Sequence, residues 1–153
     1  MNVSKDFEEL FACLGARNVK FLVVGGYAFA FHARPRYTKD LDIFVEPVPE
    51  NARHLLQALD DFGFGSLDLA EDDFTQAGRI VQLGHPPSRI DFLTTLKGVT
   101  FEEAWERRVE GRFGEEKVFY LGLEELIHNK RSVGRPQDQA DVGVLESFAK
   151  RKR

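Results

Sequence analysis

With a single cysteine, Cys13, this 153-residue chain can close no internal disulfide and can build no thiolate zinc cluster. Cys13 lies in the apolar stretch Leu10-Phe11-Ala12-Cys13-Leu14, which reads as a small buried side chain rather than a nucleophilic thiol. No apolar run approaches the ~20 residues that a membrane-spanning helix needs. The opening segment MNVSKDFEEL is charged from residue 5 onward and lacks a long apolar core, so no signal peptide is expected. A reducing, cytoplasmic setting with no membrane partner is the resulting expectation. Net positive charge is missing too. Lys and Arg number 21 against 25 Asp and Glu, a formal charge of −4, which argues against whole-surface attraction to nucleic acid. Only the end is locally basic, and Lys150-Arg151-Lys152-Arg153 reads as a solvated, disordered tail. The four histidines, His32, His54, His85 and His128, show no metal-ligand spacing and read as structural or exposed.

What is present suits one compact domain over residues 1–149, followed by the basic tail 150–153. Apolar residues make up 42% of the chain and charged residues 30%, the balance of a folded globular protein, and 14 Phe promise a well-filled core. Trp105 and the Phe residues at regular spacing are read as core. Phe7, Leu10, Phe11 and Leu14 recur at helical spacing and predict a helix over about 4–16. The apolar run Phe21–Val24 reads as a strand buried on both faces, ended by Gly25-Gly26, with a short helix from Tyr27 to Ala33 that Pro35 prevents from continuing. Asp40–Val45 alternates as a strand, Leu41, Ile43 and Val45 facing one way and Asp40, Asp42 and Phe44 the other. Glu50–Asp61 reads as an amphipathic helix that Gly63 and Gly65 interrupt, and residues 66–78 carry no clear pattern. Two strands follow, Arg79–Leu83 and Arg89–Leu93, around a Gly-His-Pro-Pro-Ser turn. Thr100 with Glu103 is a capping box for a helix through Trp105, Gly114 centres a hairpin, and helices over Glu124 to about Ser132 and Pro136 to about Lys150 finish the chain.

The chemistry concentrates between Phe21 and Val45. A Gly-Gly pair after a buried strand lets backbone N–H groups approach an anion, and the following helix N-terminus adds positive partial charge. The same pair also makes an ordinary strand-to-helix turn. Asp40 and Asp42, two apart on one strand, project to one face with Cα atoms roughly 6–7 Å apart, so that one divalent cation can take an oxygen from each. Two ionised groups on an apolar strand are costly unless a cation or strong donors neutralise them. On a solvated edge strand they would need no cation, and Thr38-Lys39 just before them offer a local partner. Asp91, between Ile90 and Phe92, is a third carboxylate on an apolar strand. If its strand lies beside Asp40–Val45, at the ~4.8 Å strand spacing, the three acids fit two cations about 4 Å apart, as used for in-line phosphoryl displacement.

Gly25-Gly26, 13 intervening residues, Asp40-Leu41-Asp42 and a later apolar-Asp-apolar step resemble the nucleotidyltransferase superfamily related to polymerase beta. In detail, Val24-Gly25-Gly26-Tyr27-Ala28, Arg36-Tyr37-Thr38-Lys39-Asp40-Leu41-Asp42, Lys130 and Arg135-Pro136-Gln137-Asp138 with Asp141 look like the small bacterial enzymes of the AbiEii-toxin-like group. The resemblance covers residues 21 to about 145. It implies an α+β fold with a mixed sheet flanked by helices, and a reaction that moves a nucleoside monophosphate from a nucleoside triphosphate to an acceptor hydroxyl. It further implies that Asp40 and Asp42 hold the Mg2+ (or Mn2+) carrying the triphosphate, and that Asp91 holds a second ion and helps the acceptor hydroxyl lose its proton. Gly25 and Gly26 would receive phosphate oxygens; many relatives carry Ser at the second Gly, so Gly26 here must rely on backbone N–H groups. Lys130, by resemblance, would reach the β or γ phosphate, with a solvated lysine near a helix C-terminus as the alternative. Arg36 is read as a nucleotide binder or a loop brace. Asp138 and Asp141 are read as partners of cations such as Arg135 rather than metal ligands.

Two other classes share parts of this pattern. One is a non-catalytic nucleotide-binding or partner-binding module of a toxin-antitoxin or two-subunit pair, although all three acids and Lys130 are present. A nucleotide-sugar glycosyltransferase also uses an Asp-x-Asp metal motif, but needs a larger sheet than this chain supplies. Small molecules, tRNA and proteins are all acceptors in related enzymes, and no residue here chooses among them or names the base. A homodimer or a cognate antitoxin is an expected partner.

Overall fold

In the computed structural model, which describes residues 3–65 and 67–151, the chain folds as α1 (Val3–Ala16), β1 (Phe21–Val24), α2 (Gly25–His32), β2 (Asp40–Val45), α3 (Pro49–Leu59), β3 (Ile80–Leu83), β4 (Arg89–Leu93), α4 (Phe101–Glu106), β5 (Val109–Phe113), β6 (Glu116–Tyr120), α5 (Leu123–Val133) and α6 (Pro136–Arg151). The strands form one six-stranded sheet in the order β3-β4-β2-β1-β6-β5. Its centre is mixed, since β2 runs antiparallel to β1 but parallel to β4, and β1 runs parallel to β6. The fold is α+β, with helices flanking the mixed sheet, as the family resemblance implied.

Local chemistry accounts for most boundaries. Phe21, Leu22, Val23 and Val24 are all buried, as a central strand covered on both faces requires. Pro49 sits in the first turn of α3, where its missing N–H costs nothing. Thr100 and Glu103 form the expected reciprocal capping box at the start of α4, the Thr100 hydroxyl accepting from the Glu103 N–H at 3.2 Å. α3 passes into a π-helical turn over Asp60–Phe64, inside which Gly63 adopts φ +111°, a conformation suited to glycine. The unpatterned stretch 67–78 contains one 3₁₀ turn, Glu71–Phe74, which buries Phe74 edge-on against Phe92 of β4.

Several expectations are corrected. The second helix opens on Gly25 rather than Tyr27, so the glycines are its first turn and not a spacer before it. β2 is no edge strand: it lies between β1 and β4. Phe44, on the acid side of β2, is buried and meets Phe101 edge-on, so that side turns from polar to apolar two residues after Asp42. Cys13 is half-buried, not buried, and burial pushes its thiol up from the ordinary value, away from a reactive thiolate. Phe31 is exposed although it stacks on Tyr120, so not every Phe is core. Lys150 and Arg151 belong to the last turn of α6 rather than to a disordered tail; Lys152 and Arg153 lie outside the described residues. No helix among the described residues is long and apolar enough to cross a membrane.

Candidate active site

Side-chain alternation puts Asp40 and Asp42 on one face of β2, and the register of β4 brings the third acid to them. Asp42 lies directly across from Asp91 and Asp40 across from Arg89 in the parallel pairing. Residues opposite one another in a sheet share a face. One ligand atom from each of Asp40, Asp42 and Asp91 therefore falls within 4.8 Å of the others, the adjacency that the sequence left as a condition. Asp91 is buried, while Asp40 and Asp42 are half-buried.

Crowding three carboxylates in a part-buried site perturbs them. Burial pushes the Asp42 carboxyl up to about 7, helped by the charges of Asp40 and Asp91 and opposed by Arg89. Asp91 is likewise raised, chiefly by burial and then by its hydrogen bond to Asp40, against the pull of Arg89. Among the described residues, the Arg89 guanidinium opposes the acids. Arg89 Nη2 donates to Asp40 Oδ2 at 2.8 Å and to Asp91 Oδ2 at 3.1 Å, and its Nε donates to Asp91 Oδ1 at 3.1 Å. Sequence reading missed Arg89, although the alternation that aligns Asp40 with Asp42 also aligns Arg89 with Asp91. Lys39, the local partner considered from sequence, is exposed. The donor set is all hard oxygen, and burial, with the negative surplus of the neighbouring acids behind it, keeps a proton on Asp42 to near neutrality. Both features fit a hard divalent cation such as Mg2+ or Mn2+.

The glycines abut the acids. Gly25 has φ +66°, and a Cβ there would run into the Asp42 carboxylate; a Cβ on Gly26 would run into the Thr38 methyl. A serine at position 26 would thus have to displace the Thr38 methyl. Val24, the residue before α2, supplies no side-chain cap to the first-turn N–H groups of that helix.

Lys130 and Arg36 converge on a different carboxylate. Asp141, 1% exposed, accepts from Lys130 Nζ at 2.8 Å, from both Arg36 Nη atoms at 2.8 and 2.5 Å, and from Gln137 Nε2 at 2.9 Å. Burial works to raise the Asp141 carboxyl, but these donors overcome it and hold it well below the usual carboxylate range. Both cations also lie over the Phe29 ring of α2, Arg36 at 3.8 Å and Lys130 at 5.8 Å. The hub ties the loop entering β2 to α5 and α6. Asp138 accepts from the Arg135 N–H at 3.2 Å and Nε at 2.7 Å, the pairing with Arg135 read for it, and so caps the start of α6 as well. His32 is buried with Nε2 at 2.7 Å from the Leu121 carbonyl, a structural contact.

No curated protein matches the chain. Residues 1–147 do match a family model, described as nucleotidyltransferase of unknown function (DUF6036), and with that span covering nearly the whole chain the protein belongs to this nucleotidyltransferase family.

Proposed function

We propose that this protein moves a nucleoside monophosphate from a nucleoside triphosphate to an acceptor hydroxyl, releasing pyrophosphate. One observation carries the reading: three carboxylates from two adjacent parallel strands meet within 4.8 Å, beside the glycine-built opening of a helix. Asp40, Asp42 and Asp91 would hold Mg2+ or Mn2+, which when bound neutralises phosphate charge and lowers the pKa of a coordinated hydroxyl. The chain's own part is mainly positioning. The Gly25 and Gly26 N–H groups receive phosphate oxygens, and Asp91, with its raised pKa, is suited to take the proton of the attacking hydroxyl. Lys130 commits one of its three donors to Asp141 and can direct another at a phosphate oxygen, while Arg36 holds the loop that leads into Asp40.

A second reading, a non-catalytic nucleotide-binding module that acts with a homodimer mate or a cognate antitoxin, draws support from the engagement of both Lys130 and Arg36 by Asp141. Turnover separates the two. Wild type and Asp42→Ala are incubated with Mg2+, each labelled triphosphate and tRNA, aminoglycoside or lincosamide, and protein acceptors. Label transfer with pyrophosphate release by wild type, abolished in a folded Asp42→Ala, supports transfer. Nucleotide binding without pyrophosphate release from any acceptor class supports the second reading, and full activity in Asp42→Ala removes Asp42 from the site.

A further inference from the structure

Arg89 is a strand residue whose side chain reaches back over the acids of its own and the neighbouring strand. Its Nη2 is shared between Asp40 and Asp91 while its Nε takes the other Asp91 oxygen, so one planar fork engages oxygens of two of the three carboxylates. A divalent cation held by the three acids would draw on the same two carboxylates. The side chain is 31% exposed, and so it can swing outward without dismantling the core. Its neighbours Ile90 and Phe92, buried below the sheet surface, hold the strand itself in place.

We propose that Arg89 is a built-in counter-cation that occupies the carboxylate trio in the metal-free protein, and that a divalent ion enters only by displacing its guanidinium from Asp40 and Asp91. The inference rests on the metal-dependent reading of the site. It adds a consequence that reading does not require: a carboxylate site gains metal affinity when a positive residue is removed only if that residue competes for the same oxygens or opposes the ion by its charge. Arg89→Lys separates the two, because it keeps the charge and loses the fork that bridges both acids.

The test is Mn2+ alone, titrated by calorimetry and electron paramagnetic resonance into wild type, Arg89→Gln and Arg89→Lys, all stripped of metal. The bridging pair is partly exposed, and breaking it is equivalent to on the order of tenfold in affinity. Arg89→Gln is therefore expected to bind Mn2+ at least about threefold and up to about tenfold more tightly, with Arg89→Lys between it and wild type. Arg89→Gln affinity equal to or weaker than wild type, or gained by less than that margin, overturns the proposal, as does Arg89→Lys binding no tighter than wild type. If no protein, wild type included, binds Mn2+, it is the metal-dependent reading that fails. Should Arg89→Gln not fold, wild type still carries the test: the Arg89 Nε–Hε resonance, assigned by its loss in Arg89→Lys, must shift and lose exchange protection as diamagnetic Mg2+ saturates the site, and a resonance unmoved at saturation refutes displacement.

Discussion

Replacing Asp42 by Asn should stabilise the metal-free protein at alkaline pH while removing a carboxylate that the proposed reaction uses. Asp42 titrates near 7 in the folded protein instead of at the ordinary 3.8, with burial as the first cause and the charges of Asp40 and Asp91 behind it. An acid whose folded pKa is raised holds its proton longer when folded than when unfolded, so stability falls as pH rises from about 4 to about 7 and is level above that. At 1.36 kcal/mol per unit, the full displacement corresponds to an upper bound of about 4 kcal/mol, and relaxation of the site leaves about 2 kcal/mol as a working lower figure. Asn has nearly the same shape, carries no charge and adds no Cβ bulk against Gly25. In EDTA at pH 8, Asp42→Asn is therefore expected to be more stable by about 2–4 kcal/mol, a rise in Tm of at least ~4 °C for a chain of this size. The gap should narrow below pH 7 and close near pH 4. Thermal and urea unfolding of both proteins from pH 4 to 9 measures it. An Asp42→Asn protein no more stable than wild type at pH 8, or a gap that ignores pH across this window, would refute the idea that the acids are held at an electrostatic cost.

Gly25→Ala combines a left-handed φ with a methyl driven into the Asp42 carboxylate, and is expected to destabilise by about 1–3 kcal/mol in urea unfolding and to weaken Mn2+ binding alongside. Asp141→Ala leaves the buried Lys130 ammonium and the Arg36 guanidinium without their shared anion, and should cost about 3–5 kcal/mol, read by the same unfolding assay; Asp141→Asn, which still accepts hydrogen bonds, should cost less. Both losses are expected with the far-ultraviolet circular dichroism of the surviving folded fraction unchanged.

The legible parts of this molecule are those written by nearest neighbours. Four consecutive apolar residues marked β1, alternation marked β2 and β4, and Thr100 with Glu103 marked the start of α4, because hydrogen-bonding and burial preferences at those positions are settled within a few residues. Asp40 and Asp42 shared a face for the same reason. Arg89 was within reach of that logic, standing two residues before Asp91, but a charged residue at a strand start looks solvated until its partner strand is known. The helix after β1 was expected from Tyr27 and opens on Gly25, because a glycine turn and the first turn of a helix look alike in sequence.

Taken alone, the amino-acid order determined which residues could carry charge to a metal and a phosphate, since the chemistry of Asp, Gly and Lys and the two-residue period of a strand are local properties. Only the tertiary structure decided that Asp91 faces Asp42, that Arg89 lies across both strands, and that Asp141 gathers Arg36 and Lys130, because parallel pairing and helix packing join residues 49, 105 and 11 positions apart, beyond the reach of any local preference.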